Sequence, residues 1–140
     1  MAKDIIILIL TIMLSFITCL HIYWMFGGKK WLNEISPFKI DKIQKFLSAK
    51  YWKLIALLVF SPVVLCLLIA LLSLHPSSFP LIGKFYEKVY LVMGVALMLR
   101  GISVNVINKF CSNPNFIYLN SRLYSPLSNL LGLLFLTLLI

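Results

Sequence analysis

The chain has 140 residues, 61% of them hydrophobic and 12% charged, about half the charged fraction of a soluble domain, which argues against a water-soluble globule. The net charge of +9 does not point to nucleic acid, because the lysines stand beside long apolar runs, where an anionic inner membrane surface explains them. Cys19, Cys66 and Cys111 are far apart with no C-x-x-C pair, so they read as small core residues or free thiols and give no support to zinc or thioredoxin-type chemistry.

The first predicted element is an apolar helix over residues 5–26. Its rise of ~1.5 Å per residue gives about 33 Å, enough to cross a ~30 Å hydrocarbon layer. The run is about twice a secretory h-region and no small-x-small site follows it, so it is expected to be a retained first span. Thr11, Ser15 and Thr18 share one face, and His21 and Trp24 continue that polar line, which is the natural bundle-facing side. The alternative is that Thr and Ser bond back to their own helix. Gly27 and Gly28 are expected to end the helix. They close the segment Leu20-His21-Ile22-Tyr23-Trp24-Met25-Phe26-Gly27-Gly28, which holds most of the chemistry of the first span.

Residues 27–53 carry seven lysines against Glu34 and Asp41. Ser36-Pro37 reads as an N-cap and first helical residue. Beyond it Ile40, Ile43, Phe46, Leu47 and Tyr51 fall at helical spacing, with Lys39, Lys42, Lys45, Lys50 and Lys53 mostly along one flank. That pattern predicts an amphipathic segment on an anionic membrane surface, with a partner-binding helix as the alternative.

A second span is predicted over 54–74, with Pro62 inside it, and a turn-rich break follows at His75-Pro76-Ser77-Ser78-Phe79-Pro80. The third, over 89–107, contains Arg100, at an insertion cost of about 2.5 to 3.5 kcal/mol. Gly94, Gly101, Asn105 and Asn108 form a small and polar stripe on it. Residues 111–120, with Asn113-Pro114-Asn115, read as a polar loop. A fourth span is predicted over 123–140, starting a turn or two before Pro126 or tilting little, with Ser125, Ser128, Asn129 and Gly132 on one side.

The expected fold is therefore an all-α, polytopic four-transmembrane-helix bundle in a single domain, with a basic amphipathic segment between spans one and two. The segments 27–53 and 108–122 hold nine Lys or Arg, against Lys3, Lys84 and Lys88 on the other side. The positive-inside rule then puts the lysine-rich side in the cytoplasm and both termini outside, in a bacterial inner membrane. This orientation sets His21, Tyr23, Trp24, Arg100, Asn105, Tyr124, Ser125 and Asn129 at similar depth. Buried polar groups need partners, so the expectation is a polar pocket near the inner leaflet, with Gly27, Gly28, Pro62, Gly94, Gly101 and Pro126 in structural roles. The bland alternative is interhelical hydrogen bonding that only holds the bundle together.

Chemistry is sparse. His21 and His75 lie near opposite membrane faces, so bis-histidine haem within one chain is disfavoured. No Asp or Glu lies inside a span, which counts against a proton pump and against acid–base catalysis. No P-loop, H-E-x-x-H or Ser-His-Asp set is present. The leading expectation is a non-enzymatic membrane protein that binds a lipid, a small molecule or a membrane partner, as a homo-oligomer or within a larger complex. An immunity or accessory protein against a membrane-active partner is a variant of it. A His21-based redox module with haem or quinone, and a small transporter, are the other classes.

Two segments carry a resemblance. His21-Ile22-Tyr23-Trp24-Met25-Phe26-Gly27-Gly28 resembles an H-x-Y-W-x-x-G-G signature, and Arg100-Gly101 with Tyr124-Ser125-Pro126-Leu127 resembles a later R-x…Y-S-P-L signature. Together they are similar to a bacterial family of small four-span membrane proteins, Domain of Unknown Function 3995. The resemblance implies the four-span fold and singles out His21, Tyr23, Trp24, Gly27, Gly28, Arg100, Tyr124, Ser125 and Pro126, without implying an activity. Members often carry an acidic residue a few positions before Y-S-P-L, where this chain has Asn120.

Overall fold

The structure is a computed structural model that describes residues 2–26, 28, 36, 49–75, 77–78 and 85–140. Helix α1 is Ala2–Met25, α2 is Ala49–Ser73, α3 is Tyr86–Ile102, α4 is Val104–Lys109, α5 is Pro114–Leu119 and α6 is Ser125–Thr137, with a single π turn, Asn120–Tyr124, joining the last two. Among the described residues every regular element is helical. Two helices among the described residues, Ala2–Met25 and Leu54–Ser73, are long and apolar enough to cross a membrane. The side chains of Lys39, Lys42, Lys45, Lys50 and Lys53, and Gly27 itself, lie outside the described residues.

Helix α1 stops where the glycines stand. The Gly28 N–H donates to the Tyr23 carbonyl at 3.0 Å, a six-to-one bond of the Schellman kind that satisfies a late carbonyl of the helix. Helix α2 begins at Ala49, a turn earlier than expected, and stays helical past Pro62.

The chain after residue 102 departs from the expectation. Span three is not continuous: Ser103 (φ −76°, ψ 12°) makes a turn between α3 and α4. The expected loop at 111–120 is instead helical from Pro114. Asn113 caps α5, its Oδ1 accepting from the Asn115 N–H at 3.1 Å, and Pro114 occupies the first turn. Asn-Pro-Asn punctuates turns, but Asn is also a favoured N-cap and Pro a favoured first helical residue. The helical run from Pro114 to Thr137 therefore starts well before residue 123.

The helices form two antiparallel pairs. In the first, Thr11 of α1 lies beside His75 just past α2, and His21 lies beside Phe60. In the second, Gly94 of α3 meets Gly132 of α6, and Gly101 meets Ser125 and Asn129. The two pairs join at one end, where Leu10, Leu14, Leu67, Ala70, Leu74, Tyr90, Leu131, Phe135 and Leu138 form the buried core. There the Tyr90 hydroxyl donates to the Ser73 carbonyl at 2.9 Å, tying α3 to the end of α2. The outward faces carry exposed apolar residues such as Leu8, Ile12, Phe16, Leu58, Leu65, Val92 and Leu99.

Candidate functional site

The site is built around a proline that would ordinarily break its helix. Pro126 has no N–H, and in an α-helix its ring would collide with the carbonyl four residues back, that of Arg122. Here the preceding turn is widened: the Ser125 N–H bonds to the Asn120 carbonyl, a five-residue step. That changes which side chains face α3. At about 100° per residue, an α-helix would hold Asn120 and Ser125 about 140° apart. The wider turn closes that angle, and both face Arg100.

Arg100 Nη2 donates to Asn120 Oδ1 at 2.6 Å and Nη1 donates to Ser125 Oγ at 3.3 Å. Asn120 is fully buried and Ser125 is 3% exposed. A guanidinium can only donate, so the Asn120 oxygen must face it and the Asn120 amide nitrogen must face away. That nitrogen donates to Asn108 Oδ1 at 2.7 Å. Asn108 Nδ2 in turn donates to Ser121 Oγ at 2.9 Å, and Ser121 donates to the Ile117 carbonyl at 3.0 Å. One cation thus orients a chain of hydrogen bonds running from a buried amide to the exposed Asn108–Ser121 pair. Cys111, in the turn after α4, is close enough to feel the same charge: burial pushes its thiol up, and the Arg100 cation partly offsets this.

Gly101 allows the close approach. A Cβ there would fall on Asn129 Oδ1 and meet the Ser125 carbonyl at 2.8 Å. Asn129 Oδ1 is buried with no hydrogen-bond partner among the described residues. The small and polar stripe expected on span three holds at Gly94 and Gly101, both buried, and fails at Asn105, which is exposed. The Ser103 turn breaks the helical phase between them, and Asn108 takes part in the network instead.

His21 sits in the other helix pair. A carbonyl can only accept, so its Nδ1 bears the hydrogen shared with the Ile17 carbonyl at 2.8 Å. Its ring meets Trp24 edge-on at 5.2 Å and Phe60 at 5.9 Å. Trp24 is buried, whereas Tyr23 is exposed with its ring against Gly28. Tyr124 packs near Phe116, with ring centroids 6.1 Å apart. The His21 ring bonds within α1 and packs on Trp24 and Phe60, while Arg100 bonds Asn120 and Ser125, and among the described residues no group of three or more His, Cys, Asp or Glu could hold a metal.

Residues 14–135 match a family described as "Protein of unknown function (DUF3995)". The chain belongs to that family. No curated protein and no solved structure matches it significantly. Membership in DUF3995 brings no activity with it, so the chemistry of this member has to come from its own side chains. Of these, sequence reasoning passed over Asn120 as a site residue. It marked that position only as a departure from an acidic residue, inside a stretch read as loop. The signal that would have found it is Asn113-Pro114 as a helix start: helical spacing from there puts Asn120 on the buried side.

Proposed function

We propose that this DUF3995 member is a single-domain, four-span integral membrane protein that binds a lipid, small molecule or membrane partner at a polar inner-leaflet site centred on Arg100, Asn120 and Ser125. The runs 86–109 and 114–137 supply the third and fourth spans, each roughly 36 Å long at ~1.5 Å per residue, matching a ~30 Å hydrocarbon core. The lysine-rich segment 27–53 lies on the cytoplasmic side of a bacterial inner membrane, and both termini lie outside. In line with a shared side for the two basic segments, Asn113 Nδ2 donates to the Ser36 carbonyl at 3.0 Å, so Ser36 and the turn before Pro114 lie at the same end. The exposed apolar outer faces are then covered by acyl chains or by a second copy.

One observation carries the binding reading. A guanidinium in a membrane span is costly and marks function by default, and Arg100 is hydrogen-bonded only to neutral acceptors among the described residues. Two experiments test the two halves of the proposal. A reporter fused to the C-terminus should be active outside the cytoplasm; cytoplasmic activity refutes the orientation. Lipids and small molecules that co-purify in mild detergent should include a species present with wild type and lost with Arg100→Ala. Identical profiles would remove the site.

A further inference from the structure

We infer that the Arg100 site takes an anionic headgroup, a phosphate or carboxylate monoanion, and this rests on the membrane-site reading above. Donors outnumber acceptors at the site. The guanidinium has five N–H groups, of which the bonds to Asn120 and Ser125 use two. The Ser125 hydroxyl accepts from Arg100, and its own hydrogen has no acceptor among the described residues, although the side chain is 3% exposed. Asn129, one turn further along α6 on the same face, has a buried amide oxygen with no partner among the described residues. With the amide turned over, Asn129 Nδ2 stands at that place as a further donor.

Charge balance among the described residues points the same way. Their two carboxylates are Asp4, in the first turn of α1, and Glu87, in the first turn of α3. Glu87 is therefore roughly 20 Å along the helix from Arg100, at ~1.5 Å per residue. Lys109 and Arg122, by contrast, lie at the Arg100 end of the molecule. Asn120 fills the position where a carboxylate would neutralise the guanidinium, and it holds the cation by its amide oxygen without doing so. A planar fork with free N–H groups matches the paired oxygens of phosphate or carboxylate. Among the described residues, then, this is a net positive, donor-rich, partly buried cluster in the cytoplasmic half of the span, and an anion completes it.

The test uses the full chain in zwitterionic phosphatidylcholine nanodiscs, with thermal unfolding and native mass spectrometry as readouts. Phosphatidylglycerol is titrated in one arm and inorganic phosphate in another. An anion site predicts a melting temperature that rises with one of them, and bound anion retained on ejection from the disc. Phosphatidylglycerol alone identifies a lipid headgroup, and inorganic phosphate alone identifies a soluble anion. The decisive variant is Asn120→Asp, nearly isosteric, which places a permanent counter-charge on Arg100. It should fold and lose at least tenfold in anion affinity. Arg100→Gln should lose as much, while Lys109→Gln and Arg122→Gln should stay within threefold of wild type. Equal retention by wild type and Asn120→Asp, or no response of wild type to either anion, overturns the anion site. Neither outcome touches the C-terminal reporter result, so the two proposals fail separately.

Discussion

The α1–α2 pair and the α3–α6 pair are both antiparallel, yet different contacts hold them. In the first, large side chains meet: His21, Trp24 and Phe60 pack as a ring cluster. Its hydroxyls turn inward on their own helix, Thr11 to the Ile7 carbonyl and Thr18 to the Leu14 carbonyl, both at 2.7 Å. In the second, backbones meet through Gly94, Gly101 and Gly132, and side-chain hydrogen bonds cross from helix to helix. The prolines follow the same division. Pro62 sits in a helix that stays α-helical on either side of it, whereas Pro126 is preceded by a π turn whose residues feed the Arg100 network. The lesson is that close backbone approach lets a short side chain reach across: beside the Gly101 contact, Ser125 meets Arg100 at 3.3 Å, whereas in the ring-packed pair the one side-chain bond across, Thr11 Oγ1 with His75 Nε2 at 3.4 Å, lies at its end.

The sharpest way to break that contrast is Gly132→Leu. A Cβ there already meets the Gly94 carbonyl oxygen and the Met98 nitrogen at 2.8 and 2.9 Å. Backbone cannot step aside as a side chain can, so the loss should be about 3 kcal/mol, the upper end for overpacking, read by denaturation in micelles. Asn120→Ala comes next. It takes one of two acceptors from the guanidinium and the donor from Asn108 Oδ1, at about 2 kcal/mol. A double-mutant cycle with Arg100→Ala should return a coupling of about 0.6 to 1.7 kcal/mol, the range for interhelical bonds in membranes. A coupling near zero would mean that the network is incidental.

In the ring-packed pair the effects should be smaller. The ring pairing of Trp24 with His21 should be worth about 1 kcal/mol, read as the coupling in a Trp24→Ala/His21→Ala double-mutant cycle: with Trp24 already truncated, His21→Ala should cost less than it does alone, because the same ring contact is gone. Smallest of all is Thr18→Val. The lost bond was to its own helix, so the change should stay within about 0.5 kcal/mol. A large Thr18 effect would erase the distinction between the two pairs.

Part of the site was legible before any coordinates. Arg100 stood out because a charge in an apolar run is costly, and Ser125 and Asn129 because they share its predicted depth. Gly94 and Gly101 followed from their spacing. Asn105 was drawn in by the same spacing and lies exposed, because one turn at Ser103 shifts the phase. Asn120 was missed because Asn-Pro-Asn admits both a loop and a helix start, and local composition does not choose between them. The choice depends on whether residues 114–124 find something to bury against, and Phe116 and Asn120 do.

The sequence by itself determined that the chain is helical and apolar, where α1 stops, and which residues would be most expensive to leave without partners. These follow from short-range rules: side-chain periodicity, glycine geometry and the cost of burying charge. Tertiary structure alone decided which of those residues meet. It set His21 among aromatic rings in one helix pair and Arg100 against Asn120 and Ser125 in the other. It also widened one turn before Pro126 so that two side chains five residues apart serve the same cation. Such pairing depends on the relative rotation of whole helices, which no local pattern encodes.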